Sequence, residues 1–187
     1  MIVDMMADTT TDAVRRTRGM VHVYTGEGKG KTTAAIGLAV RAAGAGLHVF
    51  FAQFLKGQDT SELTMLARLS DRITVRRFGG HEFVRNGGTI IDAALAAQGL
   101  ATATEAITSN RYGLIVLDEI NLAVATGLLD VTDVLSLIDL VLPTTTLVLT
   151  GRYATDAIIH SADLVTEMRE IKHYYHTGVP ARTGIEM

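Results

Sequence analysis

The segment that decides the fold is Val21–Thr33, VHVYTGEGKGKTT, in which a β-branched, largely apolar run leads into a glycine-dense turn. An Ala-rich helical pattern follows at once, so the predicted order is strand, loop and helix. Gly26, Gly28 and Gly30 allow the backbone to turn sharply and to direct successive N–H groups toward one point. The helix that begins near Lys31 directs the positive end of its dipole at the same point. The segment therefore predicts a binding site for nucleotide phosphates.

The turn matches the phosphate-binding Walker A pattern with one departure. The first glycine of that pattern would fall at Thr25, whereas this chain has its glycine at Gly26. Lys31 can reach phosphate oxygens as a point charge, and the hydroxyl of Thr32 can bind Mg²⁺. A flexible turn rich in Gly and Lys is the alternative interpretation, but the flanking strand and helix favour the phosphate site.

Length and composition indicate one globular domain. The chain has 187 residues, of which 48% are hydrophobic and 20% are charged, and its net charge is −3. We expect residues 1–19 to form a flexible, polar arm and residues 20–187 to form the domain. The small net charge gives no general attraction to nucleic acids or anionic membranes, and no apolar run is long enough to span a membrane. Neither kind of partner is expected.

Cysteine is absent, which excludes disulfides, thiolate catalysis and Cys-ligated metal centres. The N-terminus also lacks the basic segment and apolar core of a secretory signal. Both features fit a cytoplasmic protein.

Predicted strands and helices alternate along the whole chain. The strands are Val21–Thr25, Leu47–Leu55, Ile73–Phe78, Gly113–Asp118, Thr146–Thr150 and Leu164–Ile171. The helices are Lys31–Ala43, Ser61–Leu69, Thr89–Asn110, Asn121–Thr126, Thr132–Leu142 and Ala154–Ser161. This alternation predicts an α/β fold: a single P-loop NTPase-like domain with a doubly wound, mostly parallel sheet of about five or six strands flanked by helices.

An acidic pair stands at the carboxyl end of the fourth predicted strand, which is otherwise apolar. Leu114–Leu117 leads into Asp118 and Glu119, which is the Walker B arrangement. In this fold class that strand end lies beside the phosphate loop, where one carboxylate can hold Mg²⁺ directly or through water. A lone apolar run that ends in Asp-Glu is a weak signal, but the upstream loop strengthens it.

No residue stands out as the base that would activate a nucleophile. His22 and His48 lie in predicted strands and are interpreted as core histidines. His173 and His176 could share a helical face and bind a metal, but without a third ligand a surface position is the preferred interpretation.

Several blocks together resemble one known family, the P-loop type of ATP:corrinoid adenosyltransferase. The blocks are Thr25–Thr33 with Arg41, Gln53–Gly57, Val116–Glu119, Leu149–Arg152, and the tail segments Ile171–His173, Gly178 and Gly184–Glu186. The resemblance covers nearly everything after Met20. The form TGxGKGKTT is much narrower than a generic Walker A pattern.

The resemblance implies a reaction that needs no protein base. A Co(I) corrinoid, itself a strong nucleophile, attacks C5′ of ATP and expels the triphosphate, while ATP lies reversed in the loop so that C5′ is exposed. The implied substrates are ATP and a reduced corrinoid such as cob(I)alamin or a precursor, with Mg²⁺. A homodimer and a flavoprotein reductant are the implied partners.

The same resemblance assigns roles to individual residues. It implies Lys31, Thr32 and Glu119 as catalytic residues, and Thr32, Asp118 and Glu119 as magnesium ligands. The implied ATP and corrinoid contacts are Thr25, Gly26, Glu27, Gly28, Lys29, Gly30, Lys31, Thr32, Thr33, Arg41 and Phe83.

The chain departs from the family pattern in two loops: the loop between Lys56 and Ser61 is short for the family, and the loop after the third predicted strand is altered. The family often has a Gly-Phe-x-Trp segment whose aromatic side chains help to displace the lower cobalt ligand, and this chain has no Trp. Phe83 is the first candidate for that wedge and Phe78 the second; the alternative for Phe83 is simple packing within its loop. Residues 1–19 could be an arm that covers the partner's site.

Two other functions remain open from the sequence. The first is a P-loop ATPase or switch protein without corrinoid chemistry, which the altered aromatic loop motivates. The second is a small-molecule or nucleoside kinase, but no clear acceptor-binding Asp or cluster of lid arginines supports it.

Overall fold

Six strands form a single sheet in the part of the chain described by the computed structural model, residues 18–80 and 87–186. They are β1 Met20–Thr25, β2 Val49–Phe54, β3 Ile73–Phe78, β4 Leu114–Asp118, β5 Thr146–Thr150 and β6 Leu164–Glu167. Their spatial order is β3-β2-β4-β5-β1-β6, and every neighbouring pair is parallel. The predicted α/β fold is confirmed.

Helices cover both faces of this sheet. They are α1 Lys31–Gly44, α2 Ser61–Arg68, α3 Ile90–Thr108, α4 Ile120–Ala125, α5 Val131–Asp139 and α6 Asp156–Ser161, and a 3₁₀ turn follows at Tyr174–Thr177. One core cluster packs the helices α3, α4, α5 and α6 against one face of the sheet, through residues such as Phe54 and Leu117. A second cluster joins α1 and α2 to the other face through Phe51 and Val116.

The interior strands β2 and β4 are apolar along almost their whole length because both of their faces are covered. All six residues of β2 and all five of β4 are buried. The register of this pair places Gln53 opposite Asp118. The segments that follow the two strands therefore begin at the same level, at the carboxyl edge of the sheet.

Strand β2 begins at Val49, two residues later than predicted. Leu47 and His48 precede it and are exposed, so the prediction that His48 is a core histidine is wrong. The carbonyl oxygen of His48 accepts a hydrogen bond from the Gly113 N–H, so its backbone joins the edge of the ladder while its ring stays outside. His22, by contrast, is half-buried in β1, and burial lowers its pKa.

Strand β6 ends at Glu167, four residues earlier than predicted, because the chain there turns onto the loop after β1. The Met168 N–H donates to the Thr25 carbonyl, and the Met168 carbonyl accepts from the Gly28 N–H at 2.7 Å. These bonds take the place of further strand pairing. The end of β6 thereby becomes the support of the glycine-dense loop.

Two predicted segments fall largely outside the described residues: residues 1–17 of the N-terminal arm, and residues 81–86, which include Phe83. Arg18 is described and forms an ion pair of 2.7 Å with Asp163. Phe78, the second candidate for the wedge, is a core residue, 5% exposed and stacked at a tilt against Phe54. Among the described residues, no helix is both long and apolar enough to cross a membrane.

The close approach of α3 to the sheet yields a stability prediction at Gly99. A Cβ there would lie 2.7 Å from the Phe54 ring and 2.9 Å from the Phe78 ring. Gly99→Leu should therefore lower the free energy of unfolding by about 1–3 kcal/mol, as overpacking does. Ala97→Leu, on the exposed side of the same helix, is the matched control. Urea unfolding measures both variants, and equal midpoints would refute this packing.

Candidate functional site

Four strand ends meet at the carboxyl edge of the sheet, where open α/β folds bind ligands. The glycine loop, residues 26–30, follows β1, and Asp118 ends β4. Lys56 follows β2 by two residues, and Thr150 ends β5. Because β2, β4, β5 and β1 are consecutive neighbours in the sheet, these four features form one continuous site.

The glycine loop needs glycine where it meets the end of β6. Gly26 has a φ of 93°, in the left-handed region, and a Cβ there would lie 2.5 Å from the Met168 carbonyl oxygen. A Cβ at Gly28 would lie 2.8 Å from the same oxygen. Only residues without a side chain allow this approach, which fixes the curvature of the loop.

Lys31 folds back over the glycine loop from the first turn of α1. Its Nζ donates to the carbonyl oxygens of Gly26, at 2.6 Å, and Gly28, at 2.8 Å. The residue is only 8% exposed, and burial lowers the pKa of its ammonium group. The side chain is therefore positioned over the loop, where an anion held by the loop would meet its charge.

Asp118 is the most completely enclosed ionisable group of the site, at 0% exposure. Its Oδ1 accepts hydrogen bonds from the hydroxyls of Thr32, at 2.9 Å, and Thr150, at 2.6 Å. Its Oδ2 accepts from Lys56 Nζ at 2.8 Å. A buried carboxylate requires such partners, since an unpaired one is very costly.

Glu119 lies directly beyond Asp118 in a left-handed conformation, with a φ of 65°. Its backbone N–H donates to the Thr150 hydroxyl at 3.1 Å. Burial raises the pKa of its carboxyl group, against the attraction of Lys56. Left-handed non-glycine residues cost conformational energy and cluster at functional sites, so this turn makes the carboxylate pair a candidate for function.

Lys56 is a residue of the candidate site to which the sequence alone assigns no role. The sequence places Lys56 in a family block and at a strand end where ligands collect, and the structure adds that its Nζ lies 3.0 Å from Thr32 Oγ1, 2.8 Å from Asp118 Oδ2 and 3.6 Å from Glu119 Oε1. The available signal was its place just after a fully apolar strand, at the sheet edge where ligands collect. The sequence alone does not predict that β2 and β4 are neighbours in the sheet, which is what brings Lys56 to Asp118.

The predicted magnesium ligands come together in the structure. Thr32, Asp118 and Glu119 all supply oxygen atoms, which Mg²⁺ prefers, and all three face the ammonium of Lys56. A positive charge therefore fits at this point. The described residues contain no group of three or more His, Cys, Asp or Glu side chains that could hold a metal. Protein oxygens shared with substrate phosphates are the arrangement typical of Mg²⁺.

The remaining residues of the glycine loop region make contacts within the protein. Thr25 Oγ1 accepts from the Ala154 N–H at 3.3 Å, and Glu27 forms an exposed ion pair of 3.5 Å with Arg152. Lys29 Nζ donates to the carbonyl oxygen of Ile185 at 2.8 Å. Thr33 is exposed on α1.

Arg41 is not brought to the rest of the site. It lies exposed in the last turn of α1, ten residues beyond Lys31. At 1.5 Å of rise per residue, that separation is about 15 Å along the helix.

A cavity of about 790 Å³ opens beside the glycine loop. Its walls come from the start of α1, from residues 55–62 with the first turns of α2, and from the C-terminal tail at residues 181–186. The tail is fixed by Glu186, which accepts hydrogen bonds from Tyr174 Oη and from Arg182 and has a pKa lowered to about 2 by them. Sequence reasoning quoted this tail but did not place it against the loop.

His173 and His176 do not form a metal site in the described structure. His176 Nε2 pairs with Glu170 at 2.6 Å, and His173 Nδ1 accepts from the Tyr175 N–H at 3.0 Å. Both lie around the 3₁₀ turn, His176 exposed and His173 half-buried. The surface interpretation fits these contacts.

Comparisons with known proteins agree on one family. A family profile described as "ATP:corrinoid adenosyltransferase BtuR/CobO/CobP" matches residues 17–187. A protein named "Corrinoid adenosyltransferase" from Pseudomonas aeruginosa is 33% identical over 182 residues, 97% of this chain and 90% of its own length. Proteins of the same name from Sinorhizobium sp and Escherichia coli K12 are 35% and 33% identical. These alignments each cover 90% of this chain, and respectively 80% and 86% of the relative.

The Thr150 hydroxyl yields a prediction because it binds both acidic residues of the site. Thr150→Val should lower the free energy of unfolding by about 1–3 kcal/mol, since a buried carboxylate oxygen and an N–H each lose a partner. Thr146→Val is the control, because that hydroxyl, on the same strand, bonds to none of the described residues. Chemical denaturation compares the two variants, and an equal loss in both would contradict the assigned role.

Proposed function

This chain belongs to the ATP:corrinoid adenosyltransferase family, and we propose that it transfers the 5′-deoxyadenosyl group of ATP to the Co(I) centre of a reduced corrinoid. The observation that carries the proposal is the family match over residues 17–187, which includes all four strand ends of the site. The electron pair of Co(I) forms the Co–C bond to C5′, the C5′–O bond breaks, and triphosphate leaves with that bond's electrons.

The chemistry asks the protein for position and charge rather than for a base. The leaving group carries several negative charges, so fixed positive groups and backbone N–H donors around it stabilise the transition state. Lys31 and the glycine loop provide such groups at the end of β1. We assign the triphosphate to the glycine loop and the first turn of α1, residues 25–33, in the reversed orientation that leaves C5′ exposed.

Magnesium is the third part of the proposal. Thr32, Asp118 and Glu119 would hold Mg²⁺ together with triphosphate oxygens, and the ion would neutralise charge on the leaving group. The support is that oxygen atoms of all three residues lie around the Lys56 ammonium, so this point already favours a positive charge. On this assignment Lys31, Thr32 and Glu119 are the catalytic residues.

The cavity beside the glycine loop gives room for the parts of the substrates beyond the triphosphate. Its walls include apolar groups such as Ile36 and Met65, which suit a large, partly apolar ligand. We assign corrinoid entry to this side of the sheet. The proposed contacts, of Phe83 with the corrinoid and of Arg41 with the nucleotide, stay predictions.

The proposed partners also stay predictions. They are a second copy of the chain, whose arm at residues 1–19 would cover the site, and a flavoprotein that supplies the reduced corrinoid. A cytoplasmic location is likewise proposed from the sequence alone.

A substitution at Lys31 tests the proposal. Lys31→Ala should lower kcat/KM for corrinoid adenosylation by about 10²–10³-fold, the loss typical when one group that stabilises transition-state charge is removed. The measurement is the rate at which Co(I) absorbance is lost under anaerobic conditions with ATP and Mg²⁺. The light sensitivity of the product then identifies the Co–C bond. Arg68→Ala, at the exposed end of α2, is the control and should react as the unaltered protein does. Full activity in Lys31→Ala would refute the assigned site.

A further inference from the structure

The arrangement around Lys56 holds more than the family reaction requires. Its ammonium lies within 3.6 Å of Thr32, Asp118 and Glu119, the same three groups proposed as magnesium ligands. Two cations cannot share these oxygens at such distances, because like charges a few ångströms apart repel and the carboxylate between them, Asp118, is fully buried. Mg²⁺ and the Lys56 ammonium therefore exclude each other from this point.

The backbone holds Lys56 in this position. Leu55, just before it, is buried and adopts a left-handed conformation with a φ of 58°. Its N–H donates to the Phe78 carbonyl at 2.9 Å. On the far side, a Cβ at Gly57 would lie 2.1 Å from the Gly80 carbonyl oxygen, and one at Gly79 would lie 2.3 Å from the Lys56 nitrogen. The chain around Lys56 is thus packed backbone against backbone.

Strained left-handed residues precede Lys56 and follow Asp118. Leu55 and Glu119 are two of the four non-glycine residues with positive φ in the described part of the chain. Such conformations persist only where the surrounding structure enforces them, and they mark functional positions. The two strained turns direct the ammonium and the carboxylates toward each other across the β2–β4 pair.

We propose that Lys56 is a resident counter-ion of the metal position, which it leaves for the triphosphate when ATP and Mg²⁺ bind. Without nucleotide, its ammonium neutralises the buried Asp118 and keeps divalent cations out. With nucleotide, the triphosphate offers it a new set of negative oxygens, and the vacated carboxylate accepts Mg²⁺. Lys56 then binds the triphosphate leaving group as a second lysine, in addition to Lys31. The inference rests on the proposed function in taking ATP as the nucleotide and Thr32, Asp118 and Glu119 as the magnesium ligands.

The first test measures metal binding without nucleotide or corrinoid, using Mn²⁺ in place of Mg²⁺ and the electron paramagnetic resonance signal of free Mn²⁺. The unaltered protein should bind Mn²⁺ weakly, and Lys56→Met should bind it at least tenfold more tightly because the carboxylates are vacated. Lys56→Arg, which keeps the positive charge, should bind weakly again. Arg68→Met removes an equal charge at the exposed end of α2 instead, and it should leave Mn²⁺ binding unchanged.

The second test measures ATP binding in the presence of EDTA by isothermal titration calorimetry. Without metal, Lys56 is the cation that the end of β2 offers to the triphosphate. Lys56→Met should therefore weaken the binding of metal-free ATP at least tenfold, whereas Lys56→Arg should retain most of the affinity.

Two results would overturn the proposal. One is Mn²⁺ binding by the unaltered protein as tight as that by Lys56→Met, and the other is unchanged affinity of Lys56→Met for metal-free ATP. Neither measurement involves corrinoid or turnover. Failure of the adenosyl transfer would therefore appear separately, as an unaltered protein that binds ATP yet forms no Co–C bond. Circular dichroism and urea unfolding of each variant establish that it is folded.

Discussion

The carboxylate of Asp118 is fully buried and accepts hydrogen bonds from three separate parts of the chain: Thr32, Lys56 and Thr150. Removing the oppositely charged partner of a buried charge typically costs about 3–5 kcal/mol and removing a hydroxyl partner about 1–3 kcal/mol, so this contact set constrains α1, the end of β2 and β5 together. The strand order serves that requirement, because β4 lies between β2 and β5. Fold stability and site geometry thus depend on the same group.

Lys31 and Lys56 both bind oxygen acceptors of the protein itself. Lys31 binds carbonyl oxygens of the glycine loop, and Lys56 binds Asp118. A polyanionic ligand can replace these acceptors with its own oxygens, so binding exchanges one set of charge-assisted hydrogen bonds for another. A site of this kind is organised before the ligand arrives, which is what a reaction based on position and electrostatics needs.

The sequence predicted the parts of this structure that depend on local pattern. Apolar runs located every strand, and the spacing of glycines with Lys31 and Thr32 located the loop and the start of α1. It did not predict contacts that depend on how distant segments meet. Lys56 reaches Asp118 only because β2 and β4 are neighbours, and Met168 reaches Gly28 only because β6 pairs with β1. The prediction for His48 is wrong because its apolar neighbours extend the strand pattern to Leu47, whereas β2 begins only at Val49.

The phosphorus-containing product of ATP tests the central claim most directly, because it reports which bond breaks. Phosphorus nuclear magnetic resonance of an anaerobic reaction with ATP, Mg²⁺ and reduced cobalamin should show inorganic triphosphate, formed in equal amount to the Co–C product and only when corrinoid is present. Formation of ADP and orthophosphate at the same rate with or without corrinoid would contradict adenosyl transfer and would identify the protein as a nucleotide hydrolase instead.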